Sequence, residues 1–498
     1  MQNLNHDPAI VADYAPKLNL WMSFVYVILG WAVALFVKAD GIYSQRIQVE
    51  LLGPNPLLVN DMPYLGSILL ALAGAVIFSL LFAAIKSGSI DRVILGLFAF
   101  SLNADVVPML FQLSLLSIIC ILVSRGLRTG AIQFRLSPMV FFAGLILLSY
   151  SVSFLQNAQP ISVITNFNFR ATYLFMMLLI PGIMLSHRHI ETLFDFLLLA
   201  GIITVGVEVA QFGLSLATGE IITFSSTNYN RVNTPFGILP RLTGLMYHPN
   251  HQSNLIATQA VMALWLATQP KEFISRGRRA FLLLSYVILA VGVFATMSRS
   301  GWLSIAIVSV LVFFVRYRHL IPWYIIGLSI VSFVGYKTGA IEQLYQIIHD
   351  MNGDSADFRW HVDEIAMDAF FEHPWFGIGV GSFIDYYNPY QLEVHDTYLQ
   401  VASGMGIFGL IAVGGCVSAI VIRLLHTVMH PADRRYKEWA IALLLGLLIT
   451  SIQALFAMFL WVKFLWGMFG FSEAVILNNR DQKRHQSAKD FIFLPPPR

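Results

Sequence analysis

The chain has 498 residues, of which 57% are hydrophobic and only 12% charged, about half the charged share of a soluble domain. The mean hydropathy is +0.69, and 31 Lys and Arg against 28 Asp and Glu leave a net charge of +3, too small an excess to mark a nucleic-acid partner. The two cysteines, Cys120 and Cys416, both lie inside apolar segments, which excludes a disulfide framework and any zinc or haem spacing.

The first residues carry Asp7 and Asp13 without a basic cluster, and no small-residue cleavage site follows the first apolar run. That run is expected to stay as an anchor rather than to be removed. It is LWMSFVYVILGWAVALFV, from Leu20; YLGSILLALAGAVIFSLLFAAI follows from Tyr64, and IALLLGLLITSIQALFAMFLWV begins at Ile441. Such runs suit the roughly 17–25 residues of a membrane-crossing helix and not the alternating strands of about 9–11 residues of a β-barrel. Spans are expected at residues 19–37, 64–85, 90–104, 106–124, 136–155, 169–186, 190–216, 249–268, 280–297, 301–315, 320–336, 397–422, 440–461 and 463–478, two of them short or re-entrant. The expected fold class is all-α, a polytopic transmembrane helical bundle of about 12–14 spans with one long outer loop. Residues 1–216 form an amino-terminal block of helices, 217–478 a second block containing loop 337–396, and 479–498 a cytoplasmic tail.

Short basic loops orient such a bundle. RGLRTGAIQFR (125–135), KEFISRGRR (271–279), RYRH (316–319), ADRRYK (432–437) and the tail NNRDQKRHQSAKD fall on one side in this span count. That side is expected to be the cytoplasm, and it holds both termini. The opposite side receives two long loops, 217–248 and 337–396, and long loops in a compact chain are usually functional or disordered. In the second, DFRWHVDEIAMDAFFEH places Phe358, Val362, Ile365, Ala369 and Phe370 on one helical face, before HPWFGIGVGSF breaks the helix with Pro374 and three glycines.

Within EVHDTYLQ, His395 stands between Glu393 and Asp396 where a span begins. Two readings are open. The acids hold the histidine as a base, or Asp396 or Thr397 caps a helix whose positive end favours acids; the second accounts for the acids but not for the histidine. Arg299, in TMSRSGWLS, sits in a turn too tight to reach far into solvent. An arginine at membrane depth is costly, and its planar fork suits phosphate oxygens; snorkelling to lipid headgroups is the alternative. Arg231 and Arg241 flank the first outer loop, and His248 and His251 stand where the next span starts, with Asn250 or Ser253 as its cap. No further ligand at helical spacing supports a metal on these histidines. With Arg170 and Arg359, five arginines and His395 occupy the side that should be poor in arginine. Together they suit an anionic headgroup, best a pyrophosphate carrying a lipid tail.

No GxxxxGK[ST] motif exists, and the glycines of GIGVGSF follow no strand. An enzyme on the outer side must therefore use an already activated substrate, and a lipid pyrophosphate is one. A transporter or flippase would instead place charges mid-span and show internal repeats, whereas the mid-span regions here are nearly free of charge.

RLTGLMYHPNHQSNLIA, TMSRSGWLS, HPWFGIGVGSF and VHDTYLQVASGMGIFGL resemble, in this order over residues 240–425, the O-antigen ligase and polymerase superfamily of bacterial envelopes. The resemblance implies a metal-independent, inverting glycosyltransferase of the bacterial inner membrane, without cofactor. Its partners would be an undecaprenyl-pyrophosphate-linked glycan donor, an acceptor glycan (a lipid-linked repeat unit or lipid A-core) and membrane lipids. His395 then corresponds to the base for the acceptor hydroxyl, and Arg299 and Arg241 to arginines holding the donor pyrophosphate at the periplasmic face. The family form has asparagine after the histidine; here Asp396 follows. Ligase, polymerase and protein O-oligosaccharyltransferase remain open, the extra spans leaning towards polymerase.

Overall fold

The computed structural model describes residues 90–105, 108–129, 137–155, 177–218, 231–234, 237–339, 342, 355–379, 383, 388, 394–460 and 462–492. The apolar runs at 19–37 and 64–85, and Arg170 and Glu393, lie outside the described residues. The architecture is an all-α, polytopic bundle. In chain order its helices are α1 (Ile90–Leu102), α2 (Pro108–Thr129), α3 (Met139–Leu155), α4 (His187–Thr218), α5 (Pro249–Ala267), α6 (Arg276–Ala295), α7 (Arg299–Arg316), α8 (Ile321–Lys337), α9 (Ser355–Glu372), α10 (Thr397–Met429), α11 (Arg434–Ala454) and α12 (Lys463–Ile492). Between α4 and α5 a hairpin pairs β1 (Arg231–Thr234) with β2 (Gly237–Pro240), Arg231 opposite Pro240. Among the described residues five helices, α4, α6, α7, α10 and α11, are long and apolar enough to cross a membrane.

Three expected spans shift. The span at 90–104 is a 13-residue helix, about 20 Å at 1.5 Å per residue, too short to cross. The span at 440–461 starts earlier, where Asp433 caps α11 by accepting the N–H of Arg435, and ends at Ala454. The last helix does not stop at 478 but continues to Ile492.

At the centre lies α5, in which every residue except His251 is buried. It is hydrophobic enough to sit in the core yet carries a polar girdle that ties it to its neighbours. Gln259 donates to Asn103 (2.9 Å), Thr450 to Asn254 (3.3 Å), and Gln453 of α11 donates to Ser304 of α7 (2.9 Å). In a bilayer such interhelical bonds replace the missing hydrophobic drive, at about 0.6 kcal/mol each. Glu208, in the second half of α4, is a charged residue within a span and is wholly buried.

The basic stretches gather at one end. Arg278 pairs with Asp195, Arg316 and Arg434 both reach Glu438, and the Arg434 guanidinium lies over the Phe273 ring at 4.2 Å. The Ala432 N–H donates to Asn479 at 2.6 Å, bringing α12 to the same end. The opposite end is where α4, α6 and α11 finish and α5, α7 and α10 begin.

One break in α10 shapes that opposite end. Gly406 has φ 64° and ψ −160° within the helix, a conformation nearly confined to glycine. The turn segment after α9 docks into the gap: Ile378 N–H donates to Ser403 O (2.8 Å), Ile407 N–H to Pro374 O (2.8 Å) and Phe408 N–H to Trp375 O (3.3 Å). Gly377, at φ 69°, faces it, and a Cβ on either glycine would overlap the other segment's backbone. Gly377 of HPWFGIGVGSF and Gly406 of SGMGIF thus serve a close crossing of two backbones. Phe376 stacks on Phe408 (4.8 Å, 11°) and seals it.

Candidate functional site

Arg241 follows β2 directly and turns into the bundle. Its Nη2 donates to Asn250 Oδ1 in the first turn of α5 (2.8 Å), and its Nε to the Thr296 carbonyl at the end of α6 (3.3 Å). Leu242 N–H donates to Ala295 O alongside (3.3 Å). The loop therefore locks the start of one helix to the end of the next, with a guanidinium as the rivet. Burial, and then the positive charges of Arg359 and Arg299, lower the Arg241 pKa to about 10. Neither Arg241 nor Arg299 has a carboxylate partner among the described residues.

Arg299 is the first residue of α7, after a three-residue turn in which Met297 takes φ 51°. Ser298 occupies the cap position but its side chain makes no capping bond. The first N–H groups of α7 therefore add their partial positive charge beside the arginine. Arg359 projects from α9, half-buried, close enough to act on Arg241, His248 and Asp363. Of Arg231, only the backbone position is described, across the hairpin from Pro240 and so beside Arg241.

His248, not Asn250 or Ser253, caps α5: its Nδ1 accepts the Asn250 N–H at 3.1 Å. That bond leaves the ring proton on Nε2, so His248 offers a donor. Burial first, then His251, Arg241, His395 and Arg359, push its pKa well below the ordinary histidine value; it stays neutral. His251 turns elsewhere, its Nε2 lying 3.1 Å from the Met458 carbonyl. Among the described residues no group of three or more His, Cys, Asp and Glu could hold a metal.

His395 lies in the extended turn that leads into α10, near enough to His248 to act on it electrically. Its main-chain N–H donates to the Asp363 carboxylate of α9. Asp396 is the cap of α10, its Oδ1 accepting Tyr398 N–H (2.7 Å) and Leu399 N–H (2.9 Å); burial raises its pKa. The capping reading thus accounts for Asp396. Thr397 anchors the same turn, donating to Ala457 O (2.6 Å) and accepting Phe459 N–H (2.9 Å).

Asp363 was not marked by the sequence reasoning. It sits one turn after Arg359, and one of its oxygens is buried without a hydrogen bond. Burial, and then the charge of Asp396, raise its pKa to about 6, against the lowering pull of the His395 N–H and Arg359. The available signal was the register of α9: Val362 and Ala366 pack with Val394, which turns position 363 towards the site. The structure thus brings together Arg241, Arg299, Arg359, His248, His395, Asp363 and Asp396. Three guanidinium groups can hold a multiply charged anion, and a histidine beside them can take a proton.

Residues 284–414 match the family model described as O-antigen ligase. The matched segment contains Arg299, Arg359, Asp363, His395 and the break at Gly406, while Arg241 and His248 precede it and join the site through the fold. No match was found among the curated proteins. The helical bundle and this matched segment support membership in the O-antigen ligase/polymerase family.

Proposed function

We propose that this chain is a metal-independent, inverting glycosyltransferase that takes a glycan from undecaprenyl pyrophosphate at the periplasmic face of the bacterial inner membrane. It passes the glycan to an acceptor sugar, as a polymerase of O-antigen or exopolysaccharide or as an O-antigen ligase. The observation that carries this reading is the cluster of Arg241, Arg299 and Arg359 around His248 and His395, with no carboxylate bonded to Arg241 or Arg299 among the described residues. In this reading residues 217–478 form the catalytic block, and 1–216 its membrane support.

Each group has a task. His395 takes the proton of the acceptor hydroxyl as its oxygen attacks the anomeric carbon, a service worth about 10²–10⁴-fold. The bond from that carbon to the pyrophosphate breaks in the same step, so the configuration inverts. Arg299 and Arg241 receive the charge growing on the leaving pyrophosphate, which makes it a good leaving group. Arg359 and Arg231 extend this cradle, the Nε2–H of His248 adds a neutral donor, and Arg170 and Glu393 are assigned supporting places by the sequence alone. Neither metal nor cofactor is needed, because the donor is already activated and the arginines supply the positive charge. The basic end of the bundle then faces the cytoplasm with both termini.

A transport reading draws on one observation, the wholly buried Glu208 within a span, since an intramembrane acid often marks an ion path. The two readings separate in one assay. Purified protein is given a synthetic undecaprenyl-pyrophosphate oligosaccharide and an acceptor glycan in detergent. Formation of an inverted glycosidic bond supports the transferase; lipid translocation in vesicles without any bond formation supports transport.

A further inference from the structure

Helix α9 buries one face, through Val362, Ala366 and Ala369. On the opposite face Trp360, Glu364, Met367, Phe371 and, just past the helix, Trp375 follow one another at helical spacing. Trp360, Phe371 and Trp375 are 70%, 69% and 62% exposed. A loop helix in water has no reason to carry a second apolar face, least of all one built of aromatic rings. Apart from Glu364, the polar residues from Arg359 to Glu372 stand elsewhere: His361, Asp368 and Glu372 line one flank, Arg359 and Asp363 the other.

The depth of this helix follows from its carboxyl end. The bonds from residues 374–378 attach it to Ser403, Ile407 and Phe408 of α10, six to eleven residues past the start of that membrane-crossing helix at Thr397. At about 1.5 Å per residue, Trp375 is held roughly 9–16 Å along α10 rather than beyond its start. Trp375 lies 6.3 Å from the Phe408 ring, and Phe408 and Ile411 are themselves exposed on the outer face of α10. The aromatic stripe therefore continues the lipid-facing surface of a span. At the shallower end the Trp360 indole N–H is satisfied by Glu364 (3.0 Å), which also lies 3.3 Å from His361, as suits the headgroup level.

We infer that α9 is an interfacial helix, its Trp360–Met367–Phe371–Trp375 face immersed in the lipid leaflet on the arginine side of the bundle. Trp and the long apolar chains sit at the boundary they favour. This placement holds whichever reaction the site performs, and it sets Arg359 and Asp363 at the height of lipid headgroups.

The test is nitroxide accessibility in the full-length protein, reconstituted in vesicles of phosphatidylethanolamine and phosphatidylglycerol. In a Cys120→Ser background, which leaves only the buried Cys416, single cysteines replace Phe371, Asp368 and Ile411 and are spin-labelled. The label at 371 is expected to collide several-fold more with dissolved oxygen than with a water-soluble nickel chelate, as the lipid reference at 411 does, and the label at 368 to show the reverse. Should Phe371→Cys fail to reconstitute, Met367→Cys carries the same expectation. A label at 371 that follows the one at 368 would overturn the inference and leave the face to a protein partner. A label shielded from both reagents would overturn it too, since a second protein surface would then cover the stripe.

Discussion

Replacing Gly406 with alanine is expected to damage both the stability of the protein and its site, by an amount that the crossing of α10 and the 374–378 segment sets. The residue sits at φ 64°, ψ −160°, a conformation that costs a non-glycine residue about 1–3 kcal/mol. The added methyl would also overlap the Trp375 carbonyl, which forces the segment away and breaks its three backbone bonds to α10, each worth about 0.5–1.5 kcal/mol. The two losses together come to about 2.5–7.5 kcal/mol. They fall on the segment that fixes α9, and with it Arg359 and Asp363. Gly414→Ala is the control, because a Cβ there meets nothing within 4 Å. In a helix that change is expected to be neutral or to stabilise by about 0.5–1 kcal/mol. Thermal unfolding in detergent, limited proteolysis between α9 and α10, and glycan transfer are compared for the two variants. If Gly406→Ala unfolds at the same temperature as Gly414→Ala, resists protease equally and transfers glycan at the wild-type rate, the reasoning about this crossing is wrong.

Arg299→Lys is expected to slow transfer about tenfold to a hundredfold, the loss of one charge-assisted hydrogen bond at about 1.5–3 kcal/mol, while the protein stays folded; wild-type kcat/KM in that variant would remove Arg299 from the pyrophosphate cradle. Asp363 supplies a pH signature. Its folded pKa of about 6 lies above its ordinary 3.8, so its contribution to stability is greatest below pH 4 and is lost as pH rises through 6. The melting temperature of the wild type should fall from pH 5 to pH 7 relative to Asp363→Asn, and parallel curves for the two proteins would contradict that environment. Transfer by purified protein should be unchanged in excess EDTA; activity lost to the chelator and restored by a divalent cation would refute the metal-free mechanism.

The sequence carries the spans well because membrane helices are written in long apolar runs: α4, α6, α7, α8 and α10 begin or end within four residues of expectation at most boundaries, though α10 runs seven residues further at its carboxyl end. Helix caps were partly legible. Asp396 was an expected cap, but His248 was not, since histidine rarely caps and only the fold shows its Nδ1 facing the Asn250 N–H. The arginines were legible as a group because positive charge on the sparsely basic side is anomalous in itself. Their convergence was not, because the Arg241–Thr296 bond joins residues 55 apart. The break at Gly406 was hidden as well: one glycine among several in an apolar run reads as helix until its partner segment is known. Glu208 went unmarked because a single acid barely dents the hydropathy of a 32-residue helix.

The central claim is that His395 takes the acceptor's proton beside a pyrophosphate held by arginines. The direct measurement is glycan transfer from a synthetic undecaprenyl-pyrophosphate donor by purified His395→Ala, with donor binding and thermal stability measured on the same preparation. The account expects turnover to fall by about 10²–10⁴-fold, with donor affinity and melting temperature close to wild type. Turnover within a few-fold of wild type in the alanine variant would contradict it.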